Sequence, residues 1–379
     1  MPFGKNRGAH ADTPKRAVPP PTEPPRTLSA PPQPTQQPPQ PEPPQHLSGP
    51  PAQYPAHGPG PASGPGAGPP GAAPGSSTPG AGPRTPRGRW DPIAVGRPVP
   101  VFDPRPPTGL SYRPDTVCDG WSTAALDLRL ASVRGYQHRY DGRPREDDAA
   151  VACDPDTGTV VFAVADGVSA ARQPHIGSQL ACRSAVDEML NQVRASWGFV
   201  DDWDRVLRTV AWQLIEQARR ILRDPEAGPE ATGELLATTL VAGTATPSDA
   251  GVMIHVVRVG DSGVWQVKHD RIRQVLGGKS TAQDELVSSA VDSLPRVPQV
   301  VRPMVFGLEP GTVVLIGTDG FGDPLGDGEG ALGDLFVREL RAPVPPLGFA
   351  HLLDFSRETF DDDRTLIALW PRTTERPTQ

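Results

Sequence analysis

The chain has 379 residues, 50 of them proline, with 37 basic against 44 acidic side chains for a net charge of −7. No apolar run approaches the roughly 18 residues of a membrane span, no Cys-x-x-Cys offers a thiolate zinc site, and no basic run interleaves with aromatics as nucleic-acid binding requires. The reading is of a soluble, cytoplasmic monomer with no membrane insertion and no nucleic-acid partner. Its three widely spaced cysteines, Cys118, Cys153 and Cys182, suit a reducing compartment.

The first 92 residues are Pro/Gly-rich and carry almost no aliphatic runs. Such a segment has too little apolar area to offset the entropy of ordering it, so a disordered tail with polyproline II character is expected. Its spaced prolines also suit an aromatic-lined groove on a partner. Residues 93–125 remain proline-rich but add Val, Phe, Tyr and Trp, and read as an extended strap or linker. The folded domain is placed at 126–372, with 373–379 as a C-terminal tail.

Within that domain, β-type runs recur at 128–133, 160–165, 236–243, 252–259, 264–268, 272–276, 313–317 and 364–370. The pair 264–276 reads as a hairpin turning at His269-Asp270-Arg271. A helix over 203–222 follows from a 3.6-residue apolar stripe that includes Val206, Val210, Leu214 and Ala218. Pro174 starts a second helix over 175–196, and two more are expected at 331–340 and 347–360. Strands, a helix pair, strands and late helices predict an α+β fold, a four-layer α-β-β-α sandwich with two packed antiparallel sheets.

Acidic residues stand where these runs begin or end: Glu146-Asp147-Asp148, Asp166-Gly167, Asp261-Ser262, Asp319-Gly320 and Asp361-Asp362-Asp363. Strand ends hold a carboxylate on rigid scaffold, and a following glycine permits a tight turn. Carboxylates that converge need a cation, and oxygen ligands without Cys or paired His select Mg²⁺, Mn²⁺ or Ca²⁺. Taken alone, each of these points reads equally well as a turn or a solvated loop.

Their order and attachment to the β-runs resemble the metal-dependent serine/threonine protein phosphatases of the protein phosphatase 2C type, in a bacterial version. The resemblance runs through Gly142-Arg143-Pro144-Arg145-Glu146-Asp147, Val164-Ala165-Asp166-Gly167, Leu236-Ala237-Thr238-Thr239-Leu240, Val259-Gly260-Asp261-Ser262, Thr318-Asp319-Gly320 and Asp362-Asp363-Arg364-Thr365. It implies two Mn²⁺ or Mg²⁺ ions held by Asp147, Asp166, the Gly167 carbonyl, Asp319 and Asp362, with Asp261 on a weaker third ion. A water bridging the two main ions would then hydrolyse phosphoserine or phosphothreonine in protein substrates phosphorylated by a cognate kinase.

The sequence departs from that pattern in places. Val168 stands where the eukaryotic members have a proton-donating His, which leaves His175 as a weak candidate acid. Arg139, Arg143 and Arg145 all compete for the phosphate-binding position. Asp363 replaces the Asn that follows the last metal Asp, and the stretch 277–312 is shorter than the family's, so a trimmed substrate flap is expected. The alternatives are a phosphatase-like binding module without turnover, or a hydrolase of the same fold acting on a small phosphorylated molecule.

Overall fold

Apolar runs with no polar alternation require cover on both faces, and the chain supplies it with two stacked sheets flanked by helices. The computed structural model describes residues 90–107, 113–249, 251–277 and 292–372. Residues 1–89 of the expected tail over 1–92, the C-terminal tail 373–379 and part of the expected flap, 278–291, lie outside these residues. One sheet has six strands in the order β1 (Thr116–Ser122), β2 (Leu126–Val133), β11 (Arg364–Pro371), β10 (Thr312–Gly317), β7 (Gly263–Lys268) and β8 (Arg271–Leu276). The other runs β3 (Asp148–Cys153), β4 (Val160–Ala165), β5 (Leu240–Ser248), β6 (Gly251–Val259) and β9 (Met304–Leu308). Every strand pairing is antiparallel.

Side chains alternate across a strand, so one run can feed two cores. In β4, Val160, Phe162 and Val164 point between the sheets, where they meet Leu128, Ile254, Ile316 and Ile367. Val161, Ala163 and Ala165 point outward, into a core built by α2 (Pro174–Ala195), α3 (Trp203–Leu222) and α4 (Pro229–Leu236). On the opposite face, Val313, Leu315 and Leu366 pack with Phe321, Phe336, Phe349 and Phe355 from α5 (Asp319–Leu325), α6 (Gly330–Glu339), α7 (Pro346–Leu353) and the loop after it. Three apolar layers between four structural layers make the expected α-β-β-α sandwich. Among the described residues, no helix is long and apolar enough to cross a membrane.

Several elements differ from the sequence reading, each for a local reason. Thr116–Ser122, expected within the strap, pairs along its whole length with β2 and forms the sheet edge. The run 236–243 is a strand only from Leu240, because Pro229 opens a helical turn series that ends at Leu236 and Thr238 then bridges Gly167 and Leu294. The helix expected over 347–360 stops at Leu353. Beyond it the backbone of Ser356 bonds to Ile93 and Val95, and Arg364 takes the carbonyls of Phe355 and Phe360. The six-residue α1 (Tyr136–Asp141), closed by a left-handed Gly142, was not legible in the apolar pattern.

Helix α2 lies so close to the end of α4 that Gly177 has no room for a side chain: a Cβ there would stand 2.1 Å from the Leu236 carbonyl oxygen. Gly177→Ala is expected to cost about 1–3 kcal/mol of stability, read as a lower urea midpoint at unchanged slope. An unchanged midpoint would show that the helices slide apart freely.

Candidate metal centre

The strand ends on one side of the sandwich bring the acidic residues together. Asp147 precedes β3, Asp166 follows β4, Asp261 sits between β6 and β7, Asp319 opens α5 after β10, and Asp362 and Asp363 lead into β11. Carboxylate oxygens of Asp166, Asp261 and Asp319 lie within 4.8 Å of one another. Asp147 is almost completely buried and accepts a hydrogen bond from Thr318 Oγ1 at 2.8 Å. Thr239 secures the Asp166 turn, since its Oγ1 accepts from the Asp166 amide and its own amide donates to the Asp166 carbonyl. Thr238 Oγ1 donates to the same carbonyl.

These carboxylates crowd each other. Burial, with the charges of Asp363 and Asp362, lifts Asp147 well above the usual carboxylate range. Burial and the charges of Asp147 and Asp319 do the same to Asp166. Asp319 is pushed up to about 6 by burial and by Asp261 and Asp362, and Asp362 is raised by burial and Asp363. Asp261 Oδ1 is buried without a hydrogen-bond partner. An all-oxygen cluster that resists its own ionisation and leaves an orphaned carboxylate oxygen fits hard divalent cations.

Asp363 behaves in the opposite way. It is fully enclosed, yet its carboxyl is held below the ordinary value, because His138 and the backbone amides of Gly135 and Glu146 outweigh the cost of burial. His138 Nδ1 lies 2.9 Å from Asp363 Oδ1, and despite burial that partner raises the imidazole to about 9. Through its own amide, Asp363 also donates to Asp362 Oδ1 at 2.8 Å. Neither the His138–Asp363 pair nor its backbone contacts carried a signal in sequence beyond the substitution of Asp for Asn.

The three candidate arginines separate by what they touch. Arg139 is buried between Asp115 and Asp354, at 3.1 and 2.9 Å. Arg145 is enclosed, donating to the Ser132 carbonyl and facing Asp148. Only Arg143 keeps its side chain substantially exposed, at 39%, while it pairs with Glu146 at 2.8 Å and reaches toward the Ser169 carbonyl. His175 belongs to the first turn of α2, and burial together with Arg113 holds it down to about 4. A cleft of about 220 Å³ opens beside Asp319, Asp323, Asp361 and Asp362.

The raised groups set a pH dependence. A group whose folded value lies above its unfolded one stabilises the fold below the unfolded value, and that contribution is lost as pH rises through the folded value. Asp147 and Asp166, Glu146 at about 7 and His138 at about 9 all act in this sense. His175 has the opposite sign, but its gain is complete by about pH 6.5. The chelator-treated protein should lose stability steadily between pH 6.5 and 9, and Mn²⁺ should restore more at the alkaline end. Thermal melts across that window check this, and a flat or rising profile in chelator contradicts it.

The sequence pattern described as Protein phosphatase 2C matches residues 134–348, which include Asp147, Asp166, Asp261 and Asp319. Among solved structures, the chain is similar to the S. agalactiae serine/threonine phosphatase, at 14% identity and TM-score 0.44 over 65% of this chain and 100% of that one. It is similar also to PppA of Pseudomonas aeruginosa (17%, 0.43, 67% and 100%). A third is the catalytic domain of PstP in complex with two manganese ions (16%, 0.42, 66% and 99%). None of the curated proteins matches the chain. With more than half of its length inside the matched pattern, the chain belongs to the protein phosphatase 2C family.

Proposed function

We propose that this protein hydrolyses phosphoserine and phosphothreonine in phosphorylated proteins, as a metal-dependent phosphatase opposing a cognate kinase. The observation that carries the reading is the convergence of five acids on one rim: Asp147, Asp166, Asp319 and Asp362 with raised carboxyls, and Asp261 with a buried oxygen left unpartnered. In this reading Asp147, Asp166, Asp319 and Asp362, with the Gly167 carbonyl, hold two Mn²⁺ or Mg²⁺ ions, and Asp261 holds a further one. When bound, such ions supply Lewis acidity toward phosphoryl oxygens and lower the pKa of water to near neutrality.

The protein's own groups do the rest. Thr318 fixes the rotamer of Asp147 from below, and Thr238 and Thr239 fix the turn that presents Asp166 and Gly167. Of the three arginines only Arg143 is free to turn toward a substrate, and its planar fork suits two phosphoryl oxygens. Glu146 pairs with it in the meantime. The cleft beside Asp319 and Asp362, about 220 Å³, has room for a phosphorylated side chain projecting from a protein surface.

Loss of groups that merely orient metal ligands costs roughly 10–100-fold, so removing a ligand itself costs more. Asp319→Asn is expected to lower Mn²⁺-dependent aryl-phosphate hydrolysis by more than about 100-fold while circular dichroism stays native. A folded variant retaining a tenth of the activity would remove Asp319 from the site. Phosphopeptide turnover measured beside aryl phosphate then tests the substrate class.

In this reading every metal-holding acid lies at Asp147 or beyond, so a chain lacking residues 1–89 should turn over aryl phosphate within about twofold of the full chain. Slower turnover of a protein substrate alone would fit a recruiting tail. Loss of small-substrate activity would mean that the tail belongs to the catalytic unit.

A further inference from the structure

Arg113 lies ahead of the residues matched to the family pattern, in a stretch that reads from sequence as strap. Its side chain is only 7% exposed. Nε donates to the carbonyl of Arg145 at 2.5 Å and Nη2 to the carbonyl of Asp147 at 3.1 Å. The same Nη2 stands 3.5 Å from Asp148 Oδ2. The guanidinium thus spans the backbone on both sides of Glu146, at the point where the chain delivers Asp147 to the acidic rim.

Two residues on, the segment is anchored independently. The Asp115 carbonyl accepts the Arg134 amide at 2.9 Å, and the Asp115 carboxylate faces Arg134 and Arg139 at 3.3 and 3.1 Å. From Thr116 the chain is locked into β1. Arg113 is therefore presented from fixed scaffold, and its planar donors engage two carbonyls at once, which a lysine's single ammonium cannot reproduce. Among the described residues, Asp147 is also held by Thr318 and Asp166 on its carboxylate and by a long 3.4 Å contact from its amide to Asp363.

Resting on the metal-centre reading above, we propose that Arg113 is a positioning residue for that centre. It clamps the 145–147 backbone so that Asp147 meets the metal in register with Asp166. A segment outside the family pattern would then belong to the working part of the enzyme. Arg113 touches neither substrate nor metal, and its influence passes through the peptide carbonyls.

The test uses the full chain carrying Arg113→Lys, which keeps the charge but loses the fork, and Arg113→Met, which keeps only the stem. After chelator treatment, Mn²⁺ binding is measured by calorimetry well below the melting temperature, with kcat and KM for an aryl phosphate alongside. The expected result is a Mn²⁺ Kd raised by roughly 10-fold in Arg113→Lys, as for other residues that orient metal ligands. In that variant kcat falls and KM stays within about twofold, because no substrate contact is lost. Should Arg113→Met fail to fold, Arg113→Lys carries the test alone. A folded Arg113→Lys protein with the wild-type Kd overturns the proposal, even if it melts earlier, since Arg113 would then serve stability only. A wild-type protein that binds no Mn²⁺ overturns the metal-centre reading, and this inference with it.

Discussion

Carboxylates gathered at the end of a sandwich oppose the fold that gathers them. Asp147 and Asp166 are enclosed with Asp319 and Asp362 nearby: Asp147 and Asp319 resist the ionisation of Asp166, and Asp362 resists that of Asp147, Asp166 and Asp319. Two packed sheets overcome this because β4, β10 and β11, whose ends carry Asp166, Asp319 and Asp362, are buried on both faces and cannot retreat. Val160, Phe162 and Val164 commit β4 to the inner core, and Val161, Ala163 and Ala165 commit it to α2 and α3. The Asp166 turn is left projecting from a strand with no freedom to slip. A one-residue slip would exchange the two faces along the whole strand.

Close backbone approach then joins the motifs to one another. Gly135 admits the 361–363 loop so tightly that a Cβ would fall 2.3 Å from the Asp362 carbonyl carbon, and at Gly320 it would fall 1.8 Å from the Asp363 oxygen. The glycine after Asp319 is thus required by its neighbour across the rim, in addition to any turn it helps to form. Ser132 and Thr365 share a 2.6 Å hydrogen bond between β2 and β11, and Thr318 Oγ1 accepts the Thr365 amide while donating to Asp147. A single threonine at the mouth of β10 therefore links the last strand to the first acid.

How much of this was legible follows from where the information resides. Strands buried on both faces announce themselves as continuous apolar runs, and those at 160–165, 313–317 and 364–370 match the structure closely. The strands that escaped notice lie at sheet edges. β1 carries Asp119 and Gly120, β3 is built from small residues of intermediate burial, and β9 is mostly exposed. The acids were legible through their attachment to strand ends. The choice among Arg139, Arg143 and Arg145 was not, because it turns on tertiary partners such as Asp354, 215 residues from Arg139, and the Ser132 carbonyl for Arg145. Arg113 was masked by its proline-rich surroundings, where composition argues against a buried role.

Asp363 shows how such a site absorbs a further acid. An asparagine there would bring no charge, whereas Asp363 adds one beside Asp147 and Asp362. The chain answers with His138, enclosed at 2.9 Å from the added carboxylate and 3.8 Å from Glu146. Acid and imidazole together restore the local charge balance. The carboxylate also offers two acceptors where an amide offers one, and both are used: Oδ1 takes the Gly135 amide and Oδ2 the Glu146 amide. Neither oxygen could become an amide nitrogen without setting donor against donor. Asp363 is thus fixed by the backbone it organises, and His138 by the charge that Asp363 brings.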